Sequence, residues 1–188
     1  MKEKKMLVPG QKIPEFKTTA CVGIEKGKEF KTVSSKDFPG KWLVLYTYPK
    51  DFTFVCPTEI VELDKRGKAF EDRDAVLLGG STDNEFSHLA WRKDHADLKT
   101  IKHPLLFFTP AMMQSLGILH PEAGVALRAT IIVDPQGVVR YASANDLSVG
   151  RNADEIVRVL DALQTDELCP CNWKAGDETL TAKLKKAV

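Results

Sequence analysis

The segment YPKDFTFVCPTEI, residues 48–60, contains Cys56, the one cysteine in the middle of the chain. An apolar run typical of a buried strand leads into the segment, and a helical pattern follows it. Proline suits the first position of a helix, so Pro57 predicts that Cys56 lies at the N-cap. Free backbone N–H groups and the helix dipole stabilise a thiolate there. We therefore interpret Cys56 as a reactive thiol, with a buried and inert cysteine as the alternative.

A second pair of thiols lies near the C-terminus in the stretch CPCNW, where Cys169 and Cys171 flank a proline. A C-x-C pair binds soft metals in some proteins. Two thiolates alone make a poor closed zinc site, however, and the four histidines lack the spacing of a metal motif. We therefore predict no metal and no other cofactor, and we expect the histidines to be ordinary helix and loop residues. Cys21 has no motif around it and is predicted to be structural.

Length, charge and cysteine content exclude several classes of protein. The chain has 188 residues, with 27 basic and 26 acidic side chains and a net charge of +1. It therefore lacks the basic footprint expected of a nucleic-acid partner. No apolar stretch approaches the roughly 20 residues that span a membrane, and the first ten residues do not form a signal peptide. Four cysteines in a chain of this length do not indicate a secreted disulfide scaffold. The sequence predicts a soluble cytoplasmic protein with no membrane or nucleic-acid partner.

The elements that must position these thiols follow from the apolar pattern. Three runs, at residues 42–48, 75–80 and 129–133, read as strands buried on both faces. The stretch DPQG, residues 134–137, predicts a hairpin turn after the third run. Two short segments near the N-terminus predict a second hairpin. Together with the helical segments, these strands predict an α/β fold with a mixed central sheet and helices on both faces.

The helices are indicated by apolar spacing and by one clear start signal. Apolar and small residues recur at helical spacing from Ile60 to Phe70, which predicts one helix after Cys56. Before the last helix of the core, Asn152 and Glu155 have the spacing of a capping box. The apolar period then fades from about Thr165 onward. We predict one domain over residues 1–164 and a C-terminal tail over residues 165–188, which is mobile or docked on a partner.

The segment around Cys56 also resembles a known family. The pattern P-x-x-x-T-x-x-C, formed here by Pro49, Thr53 and Cys56, is similar to the active-site motif of the typical two-cysteine peroxiredoxins. The similarity continues through GKWLVLYTYP, STDNEFSHLAW, ALRATIIVDPQG and SVGRNADEIVRVLDALQ, and so covers nearly the whole chain. Within the family, the chain resembles the C component of bacterial alkyl hydroperoxide reductase in the form with a C-x-C-N-W tail. The resemblance implies a thioredoxin-like fold and a thiol-dependent peroxidase that reduces hydrogen peroxide and organic hydroperoxides.

The resemblance also implies roles for individual residues. Cys56 is the peroxidatic cysteine. The Thr53 hydroxyl, the Cys56 backbone N–H and the Arg128 guanidinium stabilise the leaving oxygen. Glu59 lies one helical turn after Cys56 and can orient Arg128 by a charge-assisted bond. Pro49 shields the site.

Two further residues match the family pattern. Arg151 matches a second arginine near the site, and Trp91 matches an aromatic residue that packs beside it. Judged from the residues alone, Arg151 is more readily a solvated surface charge, and the same alternative is weaker for Arg128. Ordinary core packing is the alternative for Trp91, and it is compatible with a position near the site.

The tail has an implied role in regenerating the thiol. Cys169 matches the resolving cysteine of the family, which forms a disulfide with Cys56 of the other subunit. This implies a homodimer, and often a ring of five dimers. Cys171 stands where the basic motif does not require a cysteine, and we interpret it as a candidate relay that takes over the disulfide. The family's electron donors are a flavoprotein reductase, a small C-x-x-C adaptor and thioredoxin, and the three-cysteine tail favours the adaptor.

Two other functions remain as alternatives. A thiol–disulfide carrier of the thioredoxin type normally has a C-x-x-C motif, and Cys56 has no cysteine at that spacing. A holdase or scaffold role would leave no motif and stays open as a second role. The chain departs from the family pattern at residues 104–117, which lack an acidic residue and are one residue shorter. This departure concerns a loop and an oligomer contact rather than the chemistry.

Overall fold

The computed structural model describes residues 5–187, which form one seven-stranded mixed sheet with α-helices. The strands are β1 (Lys17–Cys21), β2 (Phe30–Ser34), β3 (Trp42–Thr47), β4 (Ala75–Ser81), β5 (Leu105–Phe107), β6 (Arg128–Val133) and β7 (Val139–Asn145). The α-helices are α1 (Val55–Lys65), α2 (Gly67–Glu71), α3 (Glu85–Asp94), α4 (Pro110–Leu116), α5 (Ala153–Gln164) and α6 (Leu180–Lys186). The sheet order is β2-β1-β5-β4-β3-β6-β7, with β3, β4 and β5 parallel and every other neighbouring pair antiparallel. The predicted α/β class with a mixed sheet is confirmed.

The three apolar runs form the centre of the sheet, as predicted. Strand β6 is buried at all six positions, and β3 and β4 are each buried at all positions but one. Apolar side chains of these strands join those of β1, β5 and α4 in one core. The burial of this core is the main favourable contribution to folding.

Both predicted hairpins are present. Strands β1 and β2 pair antiparallel from Lys17 opposite Ser34 to Cys21 opposite Phe30. At the turn between β6 and β7 the Gly137 N–H donates to the Asp134 carbonyl at 2.9 Å. Gly137 has a φ of +77°, a conformation that glycine adopts at little cost.

The single helix predicted through Phe70 is wrong, because the chain breaks between α1 and α2. Helix α1 ends at Lys65, and Arg66 leaves the helical region with φ −94° and ψ 6°. The Arg66 guanidinium binds the Glu62 carbonyl at 2.9 Å and the Glu62 carboxylate at 2.6 Å. Gly67 follows, and glycine has a high entropic cost in a helix interior. The helical spacing thus continues across a break that apolar periodicity alone does not reveal.

The structure divides into two compact units, Met1–Arg151 and Asn152–Val188. The sheet belongs to the first unit, and α5 begins the second. The predicted boundary between residues 164 and 165 stays a prediction. The Asn152 side chain caps α5 as predicted, accepting from Asp154 and Glu155, but the Glu155 carboxylate binds Arg158 instead of completing the capping box.

The tail residues fold back within the second unit. The Leu168 carbonyl accepts from Leu180 at 2.8 Å, and the Leu168 N–H donates to the Thr181 hydroxyl at 2.9 Å. Arg158 of α5 donates to the Trp173 carbonyl at 2.9 Å, and Trp173 itself is only 5% exposed. These contacts anchor the tail to α5, and the expectation of a tail that is mobile or docked on a partner stays a prediction.

Two consecutive glycines in β4 make room for aromatic rings in the core. A Cβ on Gly79 would lie 2.5 Å from the hydroxyl of Tyr46, which is its partner across β3 and β4. A Cβ on Gly80 would lie 2.6 Å from the ring of Phe108. Glycine inside a strand marks such a close approach.

This packing gives a matched pair of substitutions. Gly79→Ala should destabilise the protein by about 1–3 kcal/mol or more, because the added methyl group overpacks a closed core. Gly67→Ala is the control: its Cβ meets nothing within 4 Å, so we expect a gain of up to about 1 kcal/mol. Urea denaturation of both variants measures the difference. Equal stabilities would show that the core next to Tyr46 adapts freely.

Candidate active site

Cys56 lies in the first turn of α1, where a loop of residues 48–54 leaves the end of β3. The predicted N-cap position is corrected: the helix begins at Val55, Phe54 is the N-cap, and Cys56 is the second helical residue. Pro57 is therefore the third, which is tolerated because the first four N–H groups of a helix have no intrahelical partner. The Cys56 N–H belongs to the same group, so the cysteine still lies at the positive end of the helix dipole.

The strand arrangement brings Arg128 to the thiol. Strand β6 runs antiparallel to β3, so the start of β6 lies beside the end of β3. Arg128 is the first residue of β6, and its Nη1 lies 3.4 Å from Cys56 Sγ. Its Nε donates to the Leu147 carbonyl at 2.7 Å. At this distance the guanidinium can donate a hydrogen bond to the sulfur.

Glu59 joins two buried arginines beside this thiol. One carboxylate oxygen lies 2.5 Å from Arg128 Nη1, and the other accepts from Arg151 Nε at 2.9 Å and from the Arg151 backbone N–H at 3.0 Å. The Glu59 side chain is 2% exposed, and both arginine side chains are 5% exposed. The alternative that either arginine is a solvated surface charge is therefore wrong.

Arg151 has three further contacts that fix its guanidinium. Its Nη1 donates to the carbonyls of Thr47 and Ala129, both at 2.7 Å. Its Cζ lies 5.1 Å from the centroid of the Tyr46 ring. Arg151 reaches this site because β7 pairs antiparallel with β6, so the chain after β7 returns to the start of β6.

The loop residues of the motif frame the site. Pro49 is buried. The Thr53 hydroxyl donates to the Lys50 carbonyl at 3.0 Å, and this bond holds the loop in a turn. The role of Thr53 toward substrate stays a prediction.

Aromatic side chains surround the loop. Trp91 of α3 is 2% exposed, and its ring centroid lies 6.0 Å from those of Tyr48 and Phe52. Phe52 has a φ of +53°, an uncommon conformation for a non-glycine residue, and its side chain is 56% exposed. Phe54 is 94% exposed. The thiol itself is only 1% exposed, so the loop shields it closely.

The interpretation of the histidines as ordinary residues missed a buried network beneath the loop. The Asp51 carboxylate lies 2.7 Å from His88 Nδ1 and accepts from the hydroxyls of Tyr48 and Ser87, both at 3.0 Å. His88 Nε2 lies 3.2 Å from the Leu106 carbonyl. The side chains of Asp51 and His88 are 2% and 0% exposed. The loop before Cys56 is thereby tied to the start of α3.

The remaining thiols differ in setting. Burial raises the pKa of the Cys21 thiol, although the neighbouring Arg92 opposes that shift, so Cys21 has the character expected of a structural cysteine. Cys169 is partly buried, with Sγ 3.4 Å from the Thr165 hydroxyl, whereas Cys171 is exposed.

Within residues 5–187 no group of three or more His, Cys, Asp or Glu side chains is arranged to hold a metal. No helix in the same range is long and apolar enough to cross a membrane.

The comparison with known proteins agrees with the fold. The sequence profile of the AhpC/TSA family matches residues 9–142. A relative named alkyl hydroperoxide reductase C, from Mycolicibacterium smegmatis, is 50% identical over 186 residues, which cover 94% of this chain and 95% of the relative. The solved structure of Mycobacterium bovis AhpC superimposes with a TM-score of 0.82 at 46% identity, covering 91% of this chain and all of that one. A reduced 2-Cys peroxiredoxin from Plasmodium vivax gives a TM-score of 0.83 at 39% identity, with 90% of this chain and 91% of that chain covered.

A thiol at a helix N-terminus beside a buried guanidinium is the setting typical of a reactive cysteine, and the comparisons place this chain among the oxidoreductases. Within that class, the chain belongs to the AhpC/TSA family. The predicted resemblance to the peroxiredoxins and the predicted thioredoxin-like fold are confirmed. The protein is a peroxidase enzyme, and the thioredoxin-type carrier is not favoured.

The buried pair beneath the loop generates a stability prediction. His88→Leu should cost about 3–5 kcal/mol, because it leaves the Asp51 carboxylate buried without its closest partner. The double variant with Asp51→Asn should recover part of that loss, since the unpaired charge is gone. Urea denaturation of the reduced proteins measures both. A loss under about 1 kcal/mol in His88→Leu would show that the pair does not support the loop.

Proposed function

We propose that Cys56 is the nucleophile with which this peroxidase reduces hydroperoxides. The thiolate sulfur attacks one oxygen of the O–O bond, forms an S–O bond and becomes a sulfenic acid. The other oxygen leaves with the electron pair of the broken bond and takes up a proton to give an alcohol or water. The observation that supports this most is the 3.4 Å distance from Cys56 Sγ to an Arg128 guanidinium that Glu59 holds in place.

The leaving oxygen needs donors directed at the charge that develops on it. We assign these donors to the Arg128 guanidinium, the free Cys56 N–H and the Thr53 hydroxyl. The hydroxyl donates to the Lys50 carbonyl in the substrate-free arrangement, so it must rotate to donate to a peroxide. In this proposal Arg151 and Glu59 orient Arg128, and Pro49 excludes water from the sulfur.

Regeneration of the thiol is assigned to the tail. The Cys169 thiol attacks the Cys56 sulfenic acid, an S–S bond forms, and water leaves. We propose that the two cysteines belong to different subunits of a homodimer, and that five such dimers form a ring. An external dithiol then reduces the disulfide and is itself oxidised. That donor is a C-x-x-C adaptor, a flavoprotein reductase or thioredoxin, and we place the reaction in the cytoplasm.

Cys171 is proposed as a relay between the first disulfide and the donor. Exchange requires an accessible thiolate and a line of attack on a disulfide sulfur. Cys171 is exposed, whereas Cys169 is partly buried against the end of α5, where its Sγ lies 3.8 Å from the Ala162 carbonyl. A disulfide transferred to Cys171 is therefore easier for a donor protein to reach.

The central role of Cys56 is tested by two serine substitutions. Cys56→Ser should abolish peroxide consumption while the fold is retained, because a hydroxyl is a far weaker nucleophile at neutral pH. Cys21→Ser is the matched control, since it makes the same chemical change at a buried thiol outside the site and should leave turnover unchanged. Peroxide loss under a dithiol reductant measures both. More than trace activity in Cys56→Ser would remove Cys56 from the reaction.

The tail assignments are tested by non-reducing electrophoresis and peptide mapping after one equivalent of peroxide. The wild type should run as a disulfide-linked dimer, and Cys169→Ser should form that dimer far more slowly. Cys171→Ser should form it at the wild-type rate but recycle more slowly with the natural donor. Monomers alone in the oxidised wild type would contradict an intersubunit disulfide. Wild-type recycling in Cys171→Ser, with no Cys171 disulfide mapped, would contradict the relay.

A further inference from the structure

A chain of buried polar contacts begins at the far end of α1 from the thiol. His103 Nδ1 lies 2.7 Å from the Asp64 carboxylate, and His103 Nε2 lies 2.6 Å from the hydroxyl of Tyr46. The same Asp64 oxygen accepts from the backbone N–H of Lys102 at 2.7 Å. Tyr46 is fully buried in β3, and the His103 side chain is 6% exposed. A buried hydroxyl, a buried imidazole and a partly exposed carboxylate thus form one continuous chain of contacts.

The environment of each group determines which atom in this chain carries each proton. Burial lowers the pKa of His103, with the Asp64 carboxylate opposing that shift, so the ring is neutral at neutral pH. The carboxylate accepts the Nδ1 proton, and Nε2 is left to accept from Tyr46. Burial raises the pKa of Tyr46 well above its usual range, so the phenol keeps the proton that it donates. Every donor therefore meets an acceptor, and the Tyr46 ring is held in one orientation.

The Tyr46 ring forms the support for the Arg151 guanidinium, whose Cζ lies 5.1 Å from the ring centroid. Among residues 5–187, the buried Nη2 atom of Arg151 has no hydrogen-bond partner. The electron-rich face of an aromatic ring attracts a cation at this distance, and more strongly when water is excluded. Gly79 provides the space for the ring, because any Cβ there would meet the Tyr46 hydroxyl.

From Arg151 the contacts continue to the thiol without a gap. Arg151 Nε donates to one Glu59 oxygen at 2.9 Å, the other Glu59 oxygen lies 2.5 Å from Arg128 Nη1, and that nitrogen lies 3.4 Å from Cys56 Sγ. A shift of the Tyr46 ring would move the Arg151 guanidinium that packs against it. Arg151 would in turn move the Glu59 carboxylate, which orients Arg128.

We propose that Tyr46, held by the His103–Asp64 pair, is a positioning residue for peroxide reduction, acting through Arg151 and Glu59 on Arg128. The proposal rests on the proposed role of Cys56. Its alternative is a core tyrosine with a satisfied hydroxyl and no influence on the reaction. Both predict that substitution lowers stability. Only the positioning role predicts that the rate of Cys56 oxidation falls, and that it falls through Arg151.

The experiment is a double-mutant cycle on the single-turnover rate constant for oxidation of reduced Cys56 by hydrogen peroxide. Tyr46→Phe keeps the ring and removes the hydroxyl, and should slow oxidation about 2- to 10-fold, the scale of one hydrogen bond. Tyr46→Leu removes the ring and should slow it about 3- to 30-fold, the scale of one cation–π contact. In an Arg151→Lys background, either substitution should have little further effect, because the rigid planar group that links the Tyr46 ring to Glu59 is no longer there.

Tyr141→Phe is the matched control, since it removes a phenol hydroxyl from β7, outside the chain of contacts, and should leave the rate unchanged. If Tyr46→Leu does not fold, the cycle is run with Tyr46→Phe. Wild-type oxidation rates in the Tyr46 variants would overturn the proposal, and so would effects that add fully to that of Arg151→Lys. Cys56→Ser is measured in parallel to distinguish the two proposals. Residual activity in Cys56→Ser would refute Cys56 as the nucleophile. An inactive Cys56→Ser together with wild-type rates in the Tyr46 variants would refute only the positioning role.

Discussion

The carboxylate of Glu59 holds two buried guanidinium groups, and the rest of the active site depends on this interaction. Each oxygen of the carboxylate binds one arginine, and all three side chains are at most 5% exposed. A buried charge without a partner costs several kcal/mol. Two guanidiniums and one carboxylate leave one positive charge uncompensated, and the Cys56 sulfur lies 3.4 Å from it. The thiol of the proposed peroxide step therefore lies next to a cluster with a net positive formal charge.

The order of the strands brings the two arginines of this cluster to one edge of the sheet, where Glu59 of α1 meets them. Strands β3 and β4 run parallel and end there, and β6, which pairs antiparallel with β3, begins there with Arg128. The segment after β7 returns to the same edge with Arg151. Ligands of open α/β sheets bind at the carboxyl ends of the parallel strands for the same topological reason. The loop between β3 and α1 closes over this edge, and the Asp51–His88 pair ties it to α3.

The two proposed stages of the reaction lie in physically different settings. The peroxide step is assigned to a thiol that is 1% exposed and surrounded by fixed charges, where electrostatic stabilisation is strong because water is excluded. The recycling step is assigned to Cys169 and Cys171, which are partly buried and exposed. Disulfide exchange needs access for an attacking thiolate, which a closed site does not offer. The different exposure of these thiols thus matches the different needs of the two steps.

Local patterns in the sequence were sufficient for the strands of the core, both hairpins, the Asn152 cap and the position of Cys56 at the start of a helix. Each depends on residues close together in the chain, where steric and hydrogen-bonding preferences act directly. The motif around Cys56 and the family resemblance also identified Arg128, Glu59 and Arg151, which the structure brings together around the thiol. The break after Lys65 was not predicted, because apolar spacing continues through it. The predicted helix start was two residues late, because Pro57 is the third helical residue and not the first. Tertiary structure alone decided that Arg151 is buried, that Asp51 meets His88, and that Tyr46 joins His103 to the arginine cluster. These partners lie 37 to 104 residues apart along the chain. Their contacts arise from strand order and register, which no local propensity encodes, and a polar side chain becomes a buried partner only when the fold removes it from water.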